Sequence, residues 1–81
     1  MDKGLILVRV LWDAEAQVWV ARSEDIDGLN IEAASLEALE PKVIAAIADL
    51  LEVNGYSGGL SELPVHFLAE RTSRVATPRA A

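Results

Sequence analysis

Up to Ser35 the chain reads as short β-rich apolar runs separated by polar turns; beyond it, apolar residues recur every three to four positions, as on a helix. Residues 5–12 set Ile6, Val8, Val10 and Trp12 on one face and Leu5, Leu7, Arg9 and Leu11 on the other. Both faces are largely apolar, which predicts a central strand or one whose second face is covered in an assembly. A polar turn at residues 13–16 leads into a second run, residues 17–23, and the two form a hairpin. Val18 and Val20 oppose Trp19 and Ala21 there, and either set can face the core until the register is known. The acidic corner Glu24-Asp25-Ile26-Asp27-Gly28 follows, with Gly28 free to take the positive φ of a sharp turn. Residues 29–34 then predict a third strand at a sheet edge, with Leu29, Ile31 and Ala33 inward and Asn30 and Glu32 outward.

Ser35 suits a helix N-cap, and Glu37 complements the helix dipole. Pro41 lacks an amide hydrogen and crowds the preceding turn, so a short first turn over residues 36–40 and a kink or restart at Pro41 are expected. Val43, Ile44, Ile47, Leu50 and Leu51 form the apolar stripe, extended backwards by Leu36 and Leu39, and Asn54-Gly55 supplies the stop. A glycine-rich loop at residues 55–59 precedes a fourth strand over residues 63–71, where Pro64 is tolerated at the start. Residues 72–81 offer only Val75 for burial and are expected to be a disordered tail after a single domain at 1–71. A right-handed crossover through the helix lays strand four parallel to strand one. The predicted fold is therefore α+β: a β-β-β-α-β two-layer domain whose mixed four-stranded sheet has the order 3-2-1-4, with one helix on one face.

Composition sharpens this picture. At 81 residues the chain buries only about 60% of its unfolded surface, yet apolar residues make up 52% of it. One helix covers one face of four strands, so the apolar second face predicts a homo-oligomer, a dimer first of all, with Leu5, Leu7, Leu11 and Trp19 as candidate interface residues. The absence of cysteine excludes disulfides and thiolate-bound metal. No apolar segment approaches the ~20 residues of a membrane span, and the start lacks the character of a signal peptide, so a cytoplasmic protein is expected. Residues 1–70 carry thirteen acids against Lys3, Arg9, Arg22 and Lys42, a balance of −9, whereas the tail holds Arg71, Arg74 and Arg79 and no acid. Such a body repels phosphate and favours a basic protein partner over nucleic acid.

Candidate chemistry is sparse. Gly55-Tyr56-Ser57-Gly58-Gly59 matches the G-x-S-x-G nucleophile elbow, but a helix precedes and a strand follows, the reverse of what the elbow needs. His66, the single histidine, has no placed orienting acid and reads as an edge-strand residue. Ser23-x-Asp25-x-Asp27-Gly28 resembles the opening of a calcium loop, but the twelfth position is Ala34 in place of a bidentate glutamate. A solvated acidic turn held by local Asx hydrogen bonds accounts for it. Two tryptophans at neighbouring hairpin positions could stack bases, but so acidic a body argues for Trp12 and Trp19 in packing, with Trp19 also a candidate for an interface. No enzyme, metal or cofactor is expected.

The pattern Trp-Asp-x-Glu-Ala-x-Val-Trp-Val-Ala from Trp12, followed by Ser-x-Asp-Ile-x-Gly-Leu from Ser23, resembles the HicB-like antitoxin family in its short stand-alone branch of uncharacterised bacterial proteins, over roughly residues 5–71. The resemblance implies a partial ribonuclease-H-like sheet. A working nuclease of that type needs a carboxylate in the middle of strand one to begin a metal pair, and the one charge there is Arg9. The resemblance also implies a non-catalytic module that neutralises a small basic RNA-cleaving toxin by occlusion, with Glu24, Asp25, Asp27 and Glu32 as candidate contacts. Full-length antitoxins usually append a DNA-binding helix-turn-helix or ribbon-helix-helix, for which the tail is too short, so direct nucleic-acid binding is not expected. The alternative is a stand-alone homo-oligomeric scaffold with no toxin.

Overall fold

The computed structural model describes residues 4–55 and 63–79. Their elements are β1 (Ile6–Asp13), β2 (Val18–Arg22), β3 (Asn30–Ala33), α1 (Leu36–Val53) and β4 (Val65–Glu70). The sheet runs β3-β2-β1-β4, with β1 antiparallel to β2, β2 antiparallel to β3 and β1 parallel to β4. This is the α+β architecture that the hydrophobic pattern predicts.

The hairpin closes between Asp13 and Val18. Asp13 Oδ1 accepts from the amides of Glu15 (3.1 Å) and Ala16 (3.2 Å), its carbonyl accepts from the amide of Gln17 (2.8 Å), and Gln17 takes φ +60°. A short carboxylate folding back on the following amides is how an Asx turn replaces lost ladder bonds. The register also decides the faces left open by the sequence. Val10 pairs with Ala21 and Trp12 with Trp19, so Trp19 and Ala21 lie on the side of Val8 and Val10, and Val20 lies beside Leu11 on the other. The buried core is Ile6, Val8 and Val10 from β1, Ala21, Ala33, Leu39, Val43 and Ile47 from the other elements, and Ile26 and Leu29 from the β2–β3 connection.

The helix begins where the sequence places it. Ser35 sits in an extended conformation and its Oγ accepts from the amide of Ala38 at 3.1 Å, while its carbonyl accepts from Leu39 at 3.0 Å. The expected break at Pro41 does not occur: α1 runs uninterrupted from Leu36 to Val53. The ring removes only the proline's own bond to the carbonyl of Glu37, and both residues are exposed at the helix start, where that carbonyl can tilt into water. At the other end Asn54 caps the helix and Gly55 follows at φ +69°. Gly28, at φ +92°, also clears a path for the helix, since a Cβ there would lie 3.3 Å from Leu50 Cδ2.

Most of the G-x-S-x-G segment lies outside the described residues. Residues 71–79 run on from β4 with neither turn nor bend, and every one of them is exposed.

Candidate functional site

The sheet face away from the helix carries the chain's most distinctive surface. Register places Leu7, Arg9 and Leu11 of β1 beside Val20 and Arg22 of β2 and beside His66, Leu68 and Glu70 of β4, with Asn30 and Glu32 of β3 beyond β2. A groove of about 580 Å³ lies over this face, bordered by Leu7, Leu11, Val20 and the two arginines, with Trp12 and Asp13 at one end and Ser23, Glu24 and Asp25 at the other. Arg9 and Arg22 are directly opposite across the antiparallel pair. Like charges in this position repel, and because both side chains are exposed, water screens that repulsion. Sequence reasoning missed this pair because Arg22 acquires its position only through the hairpin register.

Of the candidate interface residues, Leu5 (41%) and Leu11 (54%) are well exposed and Leu7 is half-buried, all on the helix-free side of β1. Trp19 is not part of that patch. It packs against the core on the helix side, its ring 5.3 Å from that of Trp12 in an edge-on arrangement. Arg71, just past β4, places its guanidinium 4.3 Å from the centre of the Trp12 ring.

The acidic candidates divide as well. Glu24, Asp27 and Glu32 are exposed on and beside the β2–β3 connection. Asp25 instead turns inward: its Oδ2 accepts from the amide of Leu7 at 2.8 Å. Ser23 Oγ donates to the carbonyl of Leu7 at 2.6 Å and accepts from the amide of Asp25 at 3.0 Å. The β1–β2 ladder ends at Arg9 and Arg22. Two side chains therefore take over the pairing of Leu7 where β2 has turned away, a recognisable device for keeping a buried strand satisfied. The Ser-x-Asp spacing was visible in the sequence, but its partner sits far upstream and no local signal points to it. Ile26, flanked by acids, drops into the core at 5% exposure and anchors the connection from beneath.

No group of three or more metal-ligating side chains converges among the described residues, and no helix there is long and apolar enough to cross a membrane.

Comparison with known families matches residues 5–77 to the family described as Domain of unknown function (DUF1902). The chain belongs to that family. A similar solved structure is the hypothetical protein TTHA1013 from the extremely thermophilic bacterium Thermus thermophilus, at 42% identity and a TM-score of 0.63, covering 90% of this chain and 99% of that one. No protein of curated function matches. The family match extends past β4, into the exposed segment that follows it.

Proposed function

We propose that this member of the DUF1902 family is a non-catalytic protein-binding module that acts like a HicB antitoxin, covering a small basic RNA-cleaving toxin. The observation that carries the reading is the exposed carboxylates on a body of balance −9: Glu24 and Asp27 on a turn that Ser23 and Asp25 lock to β1, and Glu32 on the β3 strand that follows. A rigid acidic surface steers a basic partner and loses little conformational entropy on contact. Within this reading Asp25 shapes the surface and the other three carboxylates meet the partner. Purification of the tagged protein from its own host tests it. A stoichiometric basic partner of under about 100 residues, whose RNA cleavage is silenced by the complex and restored by charge reversal at Glu24 and Asp27, is the expected result. Recovery of the protein with no such partner sinks the toxin reading.

A second reading rests on the helix-free face, where Leu7, Leu11, Val20 and Leu68 surround the opposed arginines and Glu32 and Glu70 lie toward the two sheet edges. A face that mixes apolar side chains with both signs of charge can complement itself under a two-fold rotation. That arrangement supports a homo-oligomeric scaffold with no toxin.

A further inference from the structure

The two edges of the sheet are not guarded alike. β3 is four residues long, and Lys42 of the helix reaches its Glu32 carbonyl at 3.4 Å, so a lysine stands at that edge. β4 is longer, with the sequence Val-His-Phe-Leu-Ala-Glu, and pairs only with β1 among the described residues. Its outer edge carries no lysine, no proline and no bulge, the usual protections against pairing with another chain.

Directly after it come residues 71–79, extended, without turn or bend, and exposed throughout, with Val75 at 85% exposure. They give the molecule a longest dimension of 64 Å and a radius of gyration of 16.4 Å, against about 12 Å for a compact chain of this length. Beyond the contact of Arg71 with Trp12 its residues are all exposed, yet the family match runs through residue 77 and stops just before Pro78, the first residue there that cannot donate to a ladder. It is also the basic part of an acidic molecule, bearing Arg71, Arg74 and Arg79.

We propose that residues 71–77 are an exchanged arm, which adds as a fifth strand to the outer edge of β4, unpaired among the described residues, in a second copy of this chain. Reciprocal exchange closes a two-fold dimer: β4 and its arm run antiparallel to their symmetry mates, so each arm covers the other copy's unguarded edge. Main-chain hydrogen bonds supply the affinity, and the basic arm on the acidic body adds attraction that falls with salt. Arg71 over Trp12 holds the arm's root and orients it before contact. This dimer uses the sheet edge, so it stands independently of the toxin reading and of association through the helix-free face.

The absence of native cysteine makes the test direct. One full-length copy carries Val75→Cys and a differently tagged copy carries His66→Cys, both at exposed positions. Within one extended chain these sites are about 30 Å apart, so a bifunctional maleimide of about 10 Å joins them only between copies. The expected result is a covalent heterodimer that persists when Leu7 and Leu11 are both changed to Asp, and a dimer dissociation constant raised at least about tenfold by Arg74→Glu with Val75→Asp. Freely reactive thiols with no heterodimer, cross-links confined to arm-to-arm pairs, or a sedimentation profile indifferent to the arm substitutions would each overturn the proposal.

Discussion

β1 presents two faces made by the same eight residues, and they have opposite fates. On the helix side Ile6, Val8 and Val10 are 4%, 0% and 1% exposed, whereas on the other side Leu11 is more than half exposed although it is as apolar as they are. The difference lies in what stands opposite. Helix residues Leu39, Val43 and Ile47 close one face, and among the described residues only the groove with its paired arginines lies over the other. Hydrophobicity along a strand thus says that a face can be buried; a packing partner decides whether it is.

The contrast breaks most visibly from the helix side. Leu39→Ala removes one of the largest fully buried side chains, with a cavity and lost burial costing about 2–5 kcal/mol, a severe loss for a domain this small. Chemical denaturation should show a lower midpoint with an unchanged slope; stability within ~0.5 kcal/mol of the parent would mean the helix is not seated on the core as described. Next in size is the latch between the faces. Asp25→Ala leaves the Leu7 amide without its acceptor and is expected to cost about 1–3 kcal/mol, with faster amide hydrogen exchange at Leu7 as the local signature. Glu24→Ala, one residue away and exposed, serves as the neutral control. The smallest effect on stability belongs to the open face. Leu7→Asp together with Leu11→Asp should change folding free energy by less than about 1 kcal/mol while removing any association through that face, read by light scattering after gel filtration. An assembly mass unchanged by both charges would show that this face meets no second copy.

Much of the fold was legible because the period of the apolar pattern switches cleanly at Ser35 and the turns carry their usual residues. The hairpin, the strand order, the helix cap and the stop at Asn54-Gly55 all follow from such local signals. Pro41 misled because propensity treats a helix interior as uniform, whereas a proline in an exposed, early turn forfeits a single bond and strains a carbonyl that has room to move. Trp19 was open for a different reason: its face depends on register, and a one-residue change in the turn would have sent it to the other side. The candidate site was legible only in part. An acidic corner can be seen in a sequence, but that Asp25 and Ser23 turn their side chains to Leu7, or that Arg9 faces Arg22, depends on contacts between distant positions.

The parallel pairing of β1 with β4 ties Ile6 to Val65, nearly the whole domain apart. Synthesis delivers β1 first and β4 last, so the central strand waits with one edge open while everything between is made. Such a contact is entropically expensive to close and comes late in folding. The nascent chain therefore passes through a stage in which a long, two-sided apolar strand is half paired, and its safe maturation depends on how quickly the last strand arrives.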